Sequence, residues 1–273
     1  MSTDRFPQYA PVLRNLTDAA FADPARIDPR LSLTRDGRLS VHYAPFDHIE
    51  TGARLVLVGL TPGHQQMKKA LATARDALAA GASEAEASAR AKQAASFAGT
   101  MRQTLSKMLD HIGLQTVLGA ASCQEIWHTP GDVHYTSALR YPVFLDGKNY
   151  SGTPKPLKTA VLRRFIETEL AAEARMLPNA IWLPLGTGAT DALRHLVANG
   201  VLARERVFDG LPHPSGANGE RVAYFLGQKQ RRHLSAKTRP DTIETNREAL
   251  EGRVAQILAQ SEPDRHRRPH AST

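Results

Sequence analysis

Four short apolar runs, each cut off by a proline- or glycine-bearing turn, decide what this chain can become. RLVLVGL at 54–60 stops at Thr61-Pro62-Gly63, and AIWLPL at 180–185 stops at Gly186-Thr187-Gly188. VHYTSAL at 133–139 leads into a loop holding Pro142, Gly147, Gly152, Pro154 and Pro156, and a run at 207–211 ends at Pro212. Runs this short read as strands, and the first, rich in Val and Leu, as one buried on both faces. Helical patterns lie between them. MRQTLSKMLDHI at 101–112 sets Met101, Leu105, Met108, Leu109 and Ile112 on one stripe, with Gly113 as its stop. Further helices are expected over about 157–176, 189–198, 219–230 and 242–259. Strands alternating with helices predict parallel βαβ units. The expected fold class is α/β: a three-layer α/β/α sandwich around a four-stranded, mostly parallel sheet.

The flanks read differently. Residues 1–52 are rich in Pro and Asp with weak periodicity, and are expected to be a lead-in wrapped on the domain. The domain itself spans 53–260. It carries an Ala-rich helical insert at 65–96, within a stretch of fourteen alanines between Ala70 and Ala98. Alanine is the best helix former, so one helix or a pair broken near Gly81 is expected. Its low apolar bulk suggests exposure rather than core. The basic tail at 261–273 is expected to be disordered. With 41% hydrophobic residues among 273, a sizeable core is available. The net charge of +8 favours a polyanionic partner. A single cysteine, Cys123, excludes an intrachain disulfide and any all-cysteine zinc or iron–sulfur site. It fits a reducing, cytoplasmic setting. The first fifteen residues lack the apolar core of a signal peptide, and no run of 18 apolar residues could span a membrane. A monomer without cofactor or metal is expected.

In an open parallel sheet, ligands bind outside the carboxyl ends of the strands. GLTPGH at 59–64, HYTSAL at 134–139 and HPSGAN at 213–218 each follow an apolar run, so they point at one crevice. SFAG at 96–99 precedes the striped helix. Over roughly residues 53–230, these four segments resemble the motifs of the uracil-DNA glycosylase superfamily. The resemblance implies DNA as partner and hydrolysis of the bond between a base and its sugar. That reaction needs the base flipped from the stack, gripped, and met by a donor as it leaves with negative charge.

The resemblance assigns roles residue by residue. His213, held between Pro212 and Pro214, is the donor to the departing base. Ser215, Asn218 and the amides after them contact phosphate. Phe97 is the platform under the base. Gly59, Thr61, Gly63 and His64 form the water-side loop. Relatives carry Asp or Asn at the place of Thr61, Glu at that of Leu60, or Asp near that of Thr100, so the usual water activator is absent. His64, Asp132 and His134 are the substitutes to consider, each with a solvated loop residue as its plain alternative. Ser137 stands where relatives read the pyrimidine edge with Asn. Gly63 stands where the most uracil-specific relatives place an aromatic wall. A larger pocket and a 5-substituted pyrimidine follow, in base-excision repair or in defence against phage with modified DNA.

Other features weigh less. KQRRHLSAKTR at 229–239 holds five Lys or Arg and no acid. With Arg221, its Arg231 and Arg232 are candidates for phosphate contact, against the plain reading of a solvated charged face. Gly186-Thr187-Gly188 lacks the lysine of a nucleotide-binding loop and reads as structural. His128 and His134 lack a third ligand for a metal. No lysine in the four segments is available to attack the sugar, so a monofunctional glycosylase is expected. The rival readings are a non-catalytic nucleic-acid-binding module on the same fold, and a small-molecule hydrolase. The absence of a nucleophile-elbow motif speaks against the hydrolase.

Overall fold

The computed structural model describes residues 4–96, 100–129 and 131–265, with backbone alone at 100 and 260–265. Two compact units emerge: residues 4–96 with 131–207, and residues 100–129 with 208–265. From the N-terminus, α1 (Phe6–Arg14) precedes the hairpin β1 (Ser32–Asp36) and β2 (Leu39–His42). Strand β3 (Leu55–Gly59) then feeds α2 (His64–Ala79) and α3 (Glu84–Ala95). The chain crosses the second unit as α4 (Thr100–His111) and α5 (Leu114–Val117). It returns as β4 (Val133–Ser137), β5 (Val143–Leu145) and β6 (Lys148–Asn149). Helix α6 (Ala160–Phe165) runs through a π turn (Ile166–Leu170) into α7 (Ala171–Met176), before β7 (Ile181–Pro184) and α8 (Thr187–Ala198). The second unit closes with α9 (Gly219–Phe225) and α10 (Pro240–Arg265).

Three of the four expected strands form one parallel sheet in the order β4-β3-β7. β3 reads as expected: Leu55, Val56, Leu57 and Val58 are all fully buried. The fourth run forms no strand and contributes one parallel bridge, Val207 to Trp182. The chain leaves β3 for β4 on one side and returns across β3 to β7 on the other. Such a switch opens a crevice at the carboxyl ends. Leu60 fills part of it: a Cβ on Gly188 would meet Leu60 Cδ1 at 2.6 Å. Gly188, in the first turn of α8, is therefore needed for close packing.

Sequence reasoning missed a second, antiparallel sheet, β1-β2-β5-β6. Its signal was the Asp-Gly pair. Asp146 (φ 50°) and Gly147 (φ 69°) are both left-handed at the β5–β6 turn, as a two-residue hairpin of the primed type requires. Two further expectations are corrected. The first fifty residues are built into the core of their unit, with Phe6, Leu13, Leu31 and Tyr43 all buried. The Ala-rich stretch is a helical pair, as its break near Gly81 suggested, but it is core. Ala70, Leu71, Ala74, Ala87 and Ala91 are fully buried. Small side chains let α2 and α3 approach closely, so alanine serves packing here and not solvation. The expected tail overlaps α10, whose backbone continues to Arg265; residues 266–273 lie outside the described chain.

Candidate functional site

The β3–β4 register pairs Val58 with Thr136 and Gly59 with Ser137, which brings the two strand-end segments side by side. Ala138 N–H then donates to Gly59 O, and Leu139 N–H to Leu60 O. At this edge lies a small pocket of about 20 Å³, room for about one water. Pro62, Ser96 and Ser137 line it, one residue from each of three motif segments. Lys92, Thr136 and Arg140 line it as well, with Phe46, Gln66 and Tyr135 completing the wall. Among the described residues, no carboxylate is in that lining. Thr136 is 8% exposed, and its Oγ1 is buried without a hydrogen-bond partner among the described residues. Gln66 is already committed: its Oε1 accepts from Gly63 N–H (2.9 Å) and its Nε2 donates to Ala95 O (3.1 Å).

An ionic network adjoins this pocket through Lys92 and Arg140. Arg140 donates from Nε to Glu173 (2.6 Å) and from its terminal nitrogens to the Glu169 carboxylate (3.0 Å) and carbonyl (3.2 Å). Arg5 reaches Glu169 as well (2.9 Å). Asp47 accepts from Tyr141 (2.5 Å), Tyr43 (3.0 Å) and Arg5 N–H (3.0 Å). Burial works to raise the Glu173 carboxyl, but Arg140, Lys92 and the hydrogen bond from His134 outweigh it and hold it well below the usual range. His134, 0% exposed, is pushed down to about 4 by burial and then by the Lys92 charge. It is therefore neutral near pH 7. Its Nδ1 accepts from Glu50 N–H (3.3 Å), so Nε2 carries the proton and donates to Glu173 (3.0 Å). Lys92 was missed because it lies on α3, in the stretch read as an exposed insert.

The water-side candidates have other occupations. The Thr61 hydroxyl donates to Tyr141 O (3.0 Å) and accepts from Val143 N–H (3.2 Å), fastening the β3 end to β5. The His64 ring is buried, bonded through Nε2 to Phe21 O (2.9 Å) and packed edge-on to Phe144. Asp132 pairs with Arg54 (3.1 Å), and His128 is exposed. Space beside Gly63 is taken by the Asn149 side chain, 3.5 Å from where a Cβ would stand. The openness expected at Gly63 is thus filled by a residue distant in sequence. Phe97 lies outside the described residues. Among the described residues, no group of three His, Cys, Asp or Glu is placed to hold a metal.

The second unit carries His213 and the basic segment. The residues before His213 are latched to α10: Arg253 pairs with Asp209 (3.2 Å), and Asn246 Nδ2 donates to Gly210 O (3.2 Å). Half-buried His213 accepts Ser215 N–H on Nδ1 (3.3 Å), which leaves Nε2–H as a donor; burial lowers its pKa and favours that neutral form. Ser215 accepts from Asn218 (3.2 Å), which in turn accepts from Arg221 (2.8 Å). Glu220 organises the basic segment. Hydrogen bonds from Lys229, Thr238 and Ser235 lower its pKa to about 2. Arg231 is paired with Asp241 and Glu244, whereas Arg232, Lys237 and Arg239 are exposed.

Fold and pocket together define a mixed α/β protein with a hydroxyl- and cation-lined pocket at the carboxyl edge of a parallel sheet. The chain belongs to the same family as the uncharacterized protein YoxB of Bacillus subtilis (strain 168). The two are 34% identical over 202 residues, covering 72% of this chain and 79% of that protein. No family profile matches the chain, and no solved structure matches it. Among the described residues, no helix is long and apolar enough to cross a membrane.

Proposed function

We propose that this protein is a DNA glycosylase of the uracil-DNA glycosylase type, built on the three-stranded parallel sheet β4-β3-β7. It hydrolyses the N-glycosidic bond of a pyrimidine and leaves an abasic site. The observation that carries this reading is the meeting of Pro62, Ser96 and Ser137, from three separate motif segments, in one pocket at the strand ends. In this reading Ser137 takes the pyrimidine edge, and His213, with its Nε2–H left as a donor, keeps the role that the resemblance gives it. A neutral imidazole with a fixed tautomer suits that task, because a preorganised donor meets the developing charge without reorganisation. Arg232, Lys237 and Arg239 supply phosphate contacts that carry affinity without sequence information.

A 5-substituted pyrimidine is the favoured substrate. Ser137 is smaller than Asn and makes fewer edge hydrogen bonds, so uracil receives little selective grip. The test compares release of uracil, thymine, 5-hydroxymethylcytosine and its glucosylated form from matched oligonucleotides. Fastest removal of uracil overturns the preference, and no release from any of them overturns the glycosylase reading. One observation favours a second reading, a nucleic-acid-binding module without catalysis: among the described residues the pocket lining holds no carboxylate to orient water, and the Thr61 hydroxyl is fully used. Tight binding to all four oligonucleotides with no abasic product would select it.

A further inference from the structure

A cavity of about 700 Å³ lies in the first unit, lined by the start of α1, by strand β1 and by the helix that runs through α6 and α7. That volume is in the range of small-molecule sites. Leu33, Val161, Phe165 and Ala172 give it an apolar wall. The Phe165 ring is fixed T-shaped against the buried ring of Tyr141. Two breaks in regular structure meet here. The β1–β2 register shifts between Ser32 and Thr34, which leaves Leu33 outside the pairing. The π turn at Ile166–Leu170 interrupts the facing helix and supplies Thr168 to the lining. Strand bulges and π turns both recur at functional sites. The acidic side chains of the lining are engaged. Glu169 takes Arg5 (2.9 Å) and Arg140 (3.0 Å), Glu167 takes His195 (2.9 Å), and Asp4 accepts Phe6 N–H (2.9 Å). Arg164 and Arg175 line the same cavity with no such partner among the described residues. Eleven residues apart on one helix, they are separated by about 16 Å along its axis, with Phe165 and Ala172 between them.

We propose that this cavity binds an elongated organic dianion with an apolar middle, of the chemical class of an α,ω-dicarboxylic acid. One acid group pairs with Arg164 and the other with Arg175, since a guanidinium offers parallel N–H donors that match a carboxylate. The carbon chain between them lies against Leu33, Phe165 and Ala172. A ligand with one acid group leaves one arginine unmatched, and a cation meets two charges of its own sign. The cavity is apart from the strand-end pocket, and the inference does not depend on the glycosylase reading.

The experiment titrates the full chain by calorimetry at low salt with α,ω-dicarboxylates from succinate to dodecanedioate. Affinity is expected to rise with chain length, by up to about fourfold per added methylene, and to stop rising once both ends reach their arginines. Dodecanoate is expected to bind more weakly than dodecanedioate, the reverse of the order in a purely apolar cavity, and 1,10-diaminodecane not to bind. Arg164→Gln and Arg175→Gln each lower the affinity for dodecanedioate about fivefold, the upper range for an exposed ion pair. Both arginines are exposed, so these variants keep the fold of the parent. Ala172→Trp fills the apolar wall and abolishes binding of the whole series; should that variant misfold, the two arginine variants decide alone. No binding of any dicarboxylate, dodecanoate binding as tightly as dodecanedioate, or an affinity untouched by both arginine variants overturns the proposal. A glutamate hexapeptide that binds more tightly than every dicarboxylate, through the same two arginines, overturns it as well and makes the cavity a groove for an extended acidic peptide beside the edge strand β1.

Discussion

Replacing His134 with glutamine is expected to flatten the acid side of the stability curve. His134 is fully buried and neutral, with a pKa near 4 in the folded protein against 6.5 in an unfolded chain. Between those values the unfolded state binds a proton that the folded state refuses, so stability falls as pH drops through 6.5 and goes on falling toward 4. Above 6.5 neither state is charged there and the penalty vanishes. Linkage over this window assigns about 2 kcal/mol of the loss between pH 7 and pH 5 to His134 alone. His42, also lowered to about 4 by burial and by Arg35, adds a loss of the same sign in both proteins and cancels in the comparison. Glutamine keeps a donor for Glu173 but cannot titrate. Urea unfolding at pH 7, 6 and 5, followed by Trp182 fluorescence in a Trp127→Phe background, reads the unit that contains His134. The variant is less stable than the parent at pH 7, and the gap narrows by about 2 kcal/mol at pH 5. Stability curves that run parallel from pH 7 to pH 5 would refute the assignment of a buried, neutral His134.

Three further outcomes are expected. His213→Ala lowers base release by about 10²–10³, the usual effect of losing one preorganised donor, while gel-shift affinity for the same oligonucleotide is unchanged; wild-type turnover removes His213 from the mechanism. Arg232→Gln lowers the slope of log affinity against log salt by close to 0.9 for duplex DNA. Arg231→Gln lowers it less, because Asp241 and Glu244 already hold that guanidinium; a slope unchanged in both variants would place the segment off the DNA. Gly147→Ala costs about 1–3 kcal/mol of overpacking, since its Cβ would stand 2.8 Å from Ala25 Cβ at a left-handed backbone position; a variant that melts with the parent in a thermal scan contradicts the described turn.

Local pattern alone determined the elements that depend on local physics. The apolar run at 54–60 could hardly avoid becoming a buried strand, and the stripe from Met101 to Ile112 a helix ended by Gly113, which takes φ 79°. The strand-end segments were legible too, because a turn-rich stretch after a buried strand must emerge at the sheet edge. Ser137 and Pro62 do line one pocket there. What only the tertiary structure decided are the relations between distant residues. Nothing in an alanine-rich stretch tells a core pair from a solvated one, since burial depends on what packs against it; Lys92 on that pair was thereby hidden. His64 and Thr61 read as free polar groups until partners some 40 and 80 residues away, Phe21 and Tyr141, claimed them. The wall beside Gly63 is built by Asn149 from across a hairpin. His134 is a chemical group whose charge state no neighbour in sequence sets: Glu173, Lys92 and complete burial set it, and those come together only when the chain folds.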